Sequence, residues 1–373
     1  MSENKKSNIS FAVIHPYEES NIITPTEKKY FGKEYVDWGD GNIYPQYLQS
    51  LYDNVPTLKS VIDGCVDYVA GDAVSILPLG GLEAGKMNIK GDTIEEQVRC
   101  IAEDYFLAGG FALQVIRNGK GEPAEIHYID IKHLRCNEEC DVFYYSEKWG
   151  KSGGKKVIVY PAFINLDWNT LSDEEKNRHA SSILYVKKSQ KKIYPVPCYA
   201  AAVKACEIEK CVDDFHLNAI NNGFTGSYII NFNNGVPTDR QKEEIEDAFN
   251  EKFSGHSNAG RIGFSWNPNK ESATTIEKVD VEDFGEKYKS LEANSRQKIF
   301  TAFRANPNLF GIPTESLGFN QEEYESAFKL FNRTMIRPIQ KMIADAYDKI
   351  YGGMGVLTIT PFSLESETEK KVN

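Results

Sequence analysis

Between Cys198 and Asn222 the chain runs without a proline or a glycine. A helix over that run would extend about 37 Å at 1.5 Å per residue, with Tyr199, Val203, Cys206 and Ile220 on its apolar face. A second pattern of this kind spans Val281 to Phe303, where Phe284, Tyr288, Leu291 and Ser295 share a face. Its acids come first and Arg296 and Lys298 late, which complements the helix macrodipole. Between the two lies a small insertion. The stretch SYIINF is β-like and ends in Asn234-Gly235, and Gly223 is the expected stop of the first helix. Thr238 with Gln241 then opens a shorter helix bearing Ile245, Phe249 and Phe253, followed by the turn-rich HSNAGRIGFSWNPN. Two long helices flanking a small insertion describe a scaffold.

Before Ile193 the character is mixed. Leu58, Val61, Ile62, Cys65, Val66 and Val69 recur at helical spacing from Pro56, and Gly71 ends that helix. Thr93 and Glu96 form a capping pair for the next, striped by Ile94, Val98, Ile101, Ala102 and Tyr105 and closed by Gly109-Gly110. The segment FALQVIRNGKGEPAEIHYID predicts a hairpin turning at Asn118-Gly119, since that pair accepts the positive φ of a tight turn. Further strands are expected in VFYYSEKW, KKVIVYPAFI and SSILYVKK, dense in β-branched and aromatic residues. After the break RANPNLFGIPTESLGF, Asn320 and Glu323 cap a last helix striped from Tyr324 to Ile350, which Pro338 should kink. The fold class is α+β. The ending ESETEKKVN reads as a polar tail.

With 373 residues, 41% of them hydrophobic, the chain can bury a real core. No stretch approaches the roughly 18 apolar residues of a membrane span, and MSENKKSNIS lacks an apolar leader, so no membrane partner and no export are expected. Cys65, Cys100, Cys136, Cys140, Cys198, Cys206 and Cys211 make an odd set without a disulfide framework, as in a reducing compartment. A net charge of -11 argues against clamping DNA by neutralising its phosphates. It leaves room for a protein that DNA passes without sticking.

Residues that could carry chemistry have plainer readings. Gly255 to Gly260 has the gap of a phosphate-binding loop, but Arg261 stands where the lysine is needed and no Ser or Thr follows it. His133, Cys136 and Cys140 lie close, yet no fourth metal ligand follows at a recognisable spacing. Cys206, Cys211 and His216 sit on a predicted helix as packing groups. The pairs Glu243-Glu244 and Glu282-Asp283 occupy adjacent helical positions, which do not share a face. Lysine pairs at 155–156, 187–188 and 191–192 lack the interleaved aromatics of a nucleic-acid platform. No catalytic group, cofactor or metal is expected, and the chain does not read as an enzyme.

Along the chain run IYPVPCYAAAVKAC through FHLNAINNGFTGSYIINFNN, then EEIEDAFNEKFSG, SNAGRIGFSW, ANPNLFGIPTESLGF and FNQEEYESAFKLFNRTMIRPIQ. The order of these words resembles the portal family of tailed double-stranded-DNA bacteriophages, over roughly Tyr44 to Pro361. WGDGNIYPQYLQSLYDNVPTLKSVIDGCVDYVAG is similar to the family's opening. The resemblance implies a ring at one capsid vertex, usually a dodecamer, through which DNA is packaged and ejected. By position it implies a wing at 1–197, a first stem helix at 198–223, a clip at 224–275 and a second stem helix at 276–303. A tunnel-loop region at 304–320, a kinked helix at 321–352 returning to the wing, and a C-terminal strand and polar tail at 353–373 follow, with the crown reduced or absent. Glu282, Asp283 and Glu286 would line the channel, Asn306, Asn308 and Phe310 would sit at its constriction, and Arg261, Phe264 and Trp266 would dock the motor. Implied partners are further copies of the chain, the terminase large subunit, the major capsid or scaffolding protein, a head-completion adaptor, and DNA without sequence specificity. The setting would be the virion, and the host cytoplasm during assembly. Two other readings stand beside it: a phage-encoded metal-dependent nucleic-acid-processing enzyme, and an adaptor that forms no ring.

Overall fold

The computed structural model describes residues 22–79, 81–150, 156–221, 228–232, 237–245, 262–266, 284–312 and 321–363. Contacts divide the chain into a larger unit, Ile22–Cys206 with Arg296–Asn373, and a smaller one that includes Glu207–Ser295. Readings made at Gly223, Asn234, Gly235, Phe249, Phe253, Gly255, Gly260, Arg261, Glu282, Asp283, Asn320 and the tail lie outside the described residues.

The larger unit begins with a short antiparallel pair, β1 (Glu27–Lys28) and β2 (Asp37–Trp38), then helices α1 (Tyr44–Asn54) and α2 (Pro56–Ala70). Each helix has a proline in its first turn, where the missing N–H has no intrahelical partner to lose. Strand β3 (Ala73–Ile76) leads to α3 (Ile94–Ala108). The Thr93 hydroxyl accepts from the Glu96 backbone N–H, and the Glu96 side chain accepts from the Thr93 N–H, closing the expected capping box. Gly109 ends α3 at φ +94, and a Cβ there would lie 2.4 Å from the Val196 carbonyl oxygen, so both backbone angle and space demand glycine.

Strands β4 (Gly110–Arg117) and β5 (Pro123–Ile129) form the expected hairpin, but its turn differs. The connection spans residues 118–122. The Asn118 side-chain oxygen accepts from the N–H groups of Lys120 and Glu122, and the left-handed residue is Gly121, at φ +85. An asparagine able to bond its own turn favours this longer loop over a two-residue one. Next come β6 (Leu134–Cys136), β7 (Val142–Tyr145) and β8 (Ile158–Pro161), an antiparallel sheet in that order. A short helix α4 (Asp173–His179) precedes β9 (Ser181–Lys187), which pairs antiparallel with β4 and makes β4 the centre of a three-stranded sheet. Phe111, Leu113 and Val115 of β4 are buried together with Val98, Ile101 and Phe106 of α3 in one core.

Helix α5 (Val203–Asn221) is shorter than the sequence reading at its start. Residues 200–202 instead form a tighter 3-10 turn after Pro195 and Pro197, with Tyr199 fully buried beneath it. In the smaller unit, β10 (Tyr228–Phe232) pairs in parallel with β11 (Ile262–Trp266). Helix α6 (residues 239–245) lies between them, its Thr238 N–H and hydroxyl both donating to the Gln241 side-chain oxygen. Helix α7 (Phe284–Phe303) then returns the chain to the larger unit. Its buried stripe is Ser295, Ile299, Phe300 and Phe303, while Leu291 is 43% exposed.

The C-terminal helix is bent. Helix α8 (Gln321–Phe331) and helix α9 (Arg337–Tyr351) are joined by a π-helical turn at Asn332–Ile336, and Pro338 lies in the first turn of α9. Proline removes one donor and its ring crowds the carbonyl four residues back. The wide turn just before it absorbs both effects, with the Arg337 N–H donating to the Asn332 carbonyl. Strand β12 (Leu357–Thr360) pairs antiparallel with β3 and ties the end of the chain to the exit of α2.

Helices α2, α7 and α8 meet in an aromatic cluster. The Phe310 ring lies 6.1 Å from Tyr68 and 5.9 Å from both Phe300 and Phe331. It rests against Gly64 of α2, where an added Cβ would come within 2.6 Å of the ring.

Two stability effects follow. Thr93→Ala removes the α3 cap and should lower stability by about 1 kcal/mol, read as a lower urea midpoint at unchanged slope. An unchanged midpoint would contradict the cap. Gly64→Ala, which in an open helix stabilises by roughly 0.5–1 kcal/mol, should here destabilise by about 1–3 kcal/mol because it crowds Phe310. A raised melting temperature would contradict that packing.

Candidate functional site

The features that set this chain apart from an ordinary α+β domain are its two long helices and what they carry. At one end of α5, within the larger unit, the Tyr199 ring stacks on Phe303 of α7 at 5.4 Å and 12°. The Tyr199 hydroxyl donates to the Leu107 carbonyl at 3.0 Å. Further along α5, within the smaller unit, Phe215 stacks on Tyr288 at 4.8 Å, and His216 meets the same ring edge-on. Within that unit Ile208, Phe215 and Leu217 of α5 remain 36%, 44% and 58% exposed. Exposed charges on α5 include Lys204 near its start and Asp213 and Asp214 further along, while α7 exposes Lys289, Arg296 and Lys298.

After α7 the chain turns sharply. Arg304 takes φ +53, an uncommon angle for a residue with a side chain. The Asn306 side chain caps a 3-10 turn at Pro307–Phe310 by accepting from the Asn308 N–H at 3.0 Å. The Tyr68 hydroxyl of α2 donates to the Leu309 carbonyl at 2.9 Å. This segment is thus fastened at two points, by a hydrogen bond and by the Phe310 ring.

Of the residues singled out by sequence, Asn306 is exposed, Asn308 is half-buried, and the Phe310 ring faces Tyr68, Phe300 and Phe331 in the core. Phe310, expected at the constriction, is half-buried, with its ring packed against the core at the base of this segment. Phe264 and Trp266 lie on β11, opposite Ile230 and Phe232 of β10, and Glu286 lies in the first turn of α7. Arg261, Glu282 and Asp283 fall outside the described residues. Sequence reasoning missed Tyr68 and Gly64, whose roles depend on a partner more than 240 residues away. Periodicity cannot register such a contact.

Among the described residues no three His, Cys, Asp or Glu side chains converge as a metal site. The His133 ring packs edge-on against Tyr145 at 5.8 Å, while Cys136 and Cys140 come together at 3.8 Å. No described helix is long and apolar enough to cross a membrane.

Comparison with known proteins places this arrangement. In the solved virion of a native gene transfer agent particle, one chain is 17% identical with a TM-score of 0.54, over 87% of this chain and 85% of that one. A chain in the neck of the native particle, computed with C12 symmetry, gives 17% identity and a TM-score of 0.52, over 87% and 86%. At that identity the likeness concerns the fold, which is α+β and of the same type. An uncharacterized protein of Rickettsia felis is 27% identical over 191 residues, or 48% of this chain. The match spans 46% of that relative, so the chain covers about half its length. The family model described as phage portal protein matches residues 90–361, a span holding both long helices, the insertion between them and the bent C-terminal helix. The chain belongs to the phage portal protein family.

Proposed function

We propose that the chain is the subunit of a closed ring at one capsid vertex, forming the channel through which double-stranded DNA is packaged and ejected. The observation that carries this reading is the family match over residues 90–361. In this reading residues 1–197 are the wing, 198–223 and 276–303 the paired stem helices, and 224–275 the clip. Residues 304–320 are the tunnel-loop region, 321–352 the bent helix returning toward the wing, and the crown is reduced or absent. The subunit works as a structural part, and the ATP hydrolysis that drives packaging belongs to a separate motor.

Ring closure requires each subunit to present two different complementary faces. The exposed Ile208, Phe215 and Leu217 of α5 and Leu291 of α7 supply apolar surface of the kind that neighbouring copies cover. A channel for DNA needs weak adhesion. Acidic side chains repel phosphate, and the net charge of -11 supports a lining that includes Glu282, Asp283 and Glu286. The exposed Lys289, Arg296 and Lys298 add local attraction that guides the duplex without holding it. Asn306 and Asn308 stand on the segment that Phe310 anchors, which suits a loop held at its base and presented at the narrowest point. The clip, with Arg261, Phe264 and Trp266, is the docking site for the terminase large subunit and then for a head-completion adaptor, and the wing meets the major capsid or scaffolding protein. The assembled ring resides in the virion after forming in the host cytoplasm.

Light scattering on the purified chain tests the ring. The expected mass is about twelve times the 42.1 kDa of one chain, matching the C12 symmetry of the similar neck. A monomer across a wide concentration range would overturn the reading and turn attention to the DNA-processing and adaptor alternatives. For the clip, a Phe264→Ala, Trp266→Ala variant should still assemble but package DNA at least an order of magnitude less in a complementation assay. Normal packaging would contradict the clip assignment.

A further inference from the structure

The turn between β6 and β7 brings together two thiols that the proposed function does not use. Cys136 ends β6 and is buried, while Cys140 sits in the turn, half-buried, at φ +56. Asn137 builds this turn: its side-chain oxygen accepts from the Asp141 and Val142 N–H groups at 3.1 and 3.2 Å, and its carbonyl accepts from the Cys140 N–H at 3.3 Å. The resulting left-handed Cys140 directs its sulfur back to within 3.8 Å of the Cys136 sulfur.

A cation completes the cluster. Lys187, at the end of β9, places Nζ 3.8 Å from the Cys140 sulfur while donating to the Ile193 carbonyl at 2.9 Å and to the Lys192 carbonyl. Two carbonyls therefore hold the ammonium in place. The opposing charge is Glu27 of β1, whose carboxylate accepts from the Tyr194 N–H at 2.8 Å. A hydrogen bond from the Cys136 thiol, with the Lys187 ammonium beside it, brings the Cys140 thiol down to about 7 against the effects of burial and Glu27. The same hydrogen bond, with burial, pushes the Cys136 thiol up. Burial pushes Cys100 and Cys198 up to about 11, so they lack this activation.

We propose that Cys136 and Cys140 are a redox-active dithiol, with Cys140 the nucleophile toward a hydroperoxide and Cys136 the thiol that closes an intrachain disulfide. The Cys140 thiolate attacks one peroxide oxygen, the O–O bond breaks, and the departing hydroxide takes a proton and leaves as water. Cys140 is then a sulfenic acid. The Cys136 sulfur attacks the Cys140 sulfur, the S–O bond breaks, and the Cys136 proton leaves with that hydroxide as a second water. Two thiols are oxidised by two electrons and one peroxide is reduced by two. The sulfurs must close from 3.8 Å to about 2.05 Å, a movement confined to one turn. The inference rests on this hairpin and Lys187 alone, and does not depend on ring assembly.

The test uses the reduced full-length chain and hydrogen peroxide. Intact mass should fall by two hydrogens, and peptide mapping should find the Cys136–Cys140 bond as the first product. Iodoacetamide should label Cys140 before Cys198, with a rate half-maximal near pH 7, and Lys187→Met should raise that midpoint. Cys136→Ser should halt the reaction at a Cys140 sulfenic acid that dimedone traps. Oxygen adducts without the Cys136–Cys140 bond in the unmodified sequence, or Cys140 labelling no faster than Cys198, would overturn the proposal. Because mapping the unmodified sequence needs no variant, a substituted chain that fails to fold leaves the test standing.

Discussion

The stack of Tyr199 on Phe303 is the contact on which the rest of the larger unit depends. The chain leaves that unit after Cys206 and re-enters it at Arg296, so both crossings must be held by one core or the unit comes apart. Both rings are fully buried, the Tyr199 hydroxyl is bonded to Leu107 at the end of α3, and Phe303 also meets Phe106. Exit, re-entry and central helix are thus joined at one point. Such an aromatic pair is worth about 0.5–1.5 kcal/mol beyond its burial. Once the crossings are fixed, the length of what lies between them matters little, because loop-closure entropy grows only logarithmically with chain length. A family can therefore vary the inserted part while keeping its base.

A second constraint is polar. Arg135 on β6 is wholly buried, between the faces of Trp38 at 5.7 Å and Trp149 at 4.9 Å. Its guanidinium donates to the carbonyls of Asn42, Leu134 and Lys132 and to the Asn42 side chain, so backbone dipoles and ring faces take the place of water. Burial brings its pKa down to about 10, which still leaves it charged at neutral pH. Tyr194 reinforces the same region, stacking on Trp38 at 4.5 Å while its hydroxyl accepts from the Cys136 N–H and donates to the Val36 carbonyl. The base of the hairpin that carries Cys136 and Cys140 is rigid for these reasons, and Lys187 approaches it from a separate strand.

What could be read from sequence was local. The caps at Thr93 and Thr238, the glycines ending α2 and α3, and most strands are set by residues within four positions of one another. What escaped depended on distant partners. Strands β10 and β11 pair in parallel although about thirty residues separate them, and nothing in SYIINF or RIGFSW names the other. The start of α5 was placed too early because freedom from proline and glycine marks where a helix can run; the packing of Tyr199 and the prolines before it decide where it begins. The bend near Pro338 is legible, but its form as a π turn is not, since periodicity and a proline mark the bend without its hydrogen-bond register. For the candidate site, the order of several weak motifs points to the family, whereas the ring contacts of an individual residue such as Phe310, with Tyr68 and Phe331, depend on distant partners that local sequence does not name.

In the function proposed above, α5 and α7 form the wall of a channel in a closed ring of this chain. Image reconstruction of the assembled particle tests it most directly. The account predicts rotational symmetry about a central hole, with α5 and α7 of every copy beside the axis and Asn306 at the narrowest passage. A ring in which both helices lie on the outer rim, away from the hole, would contradict it.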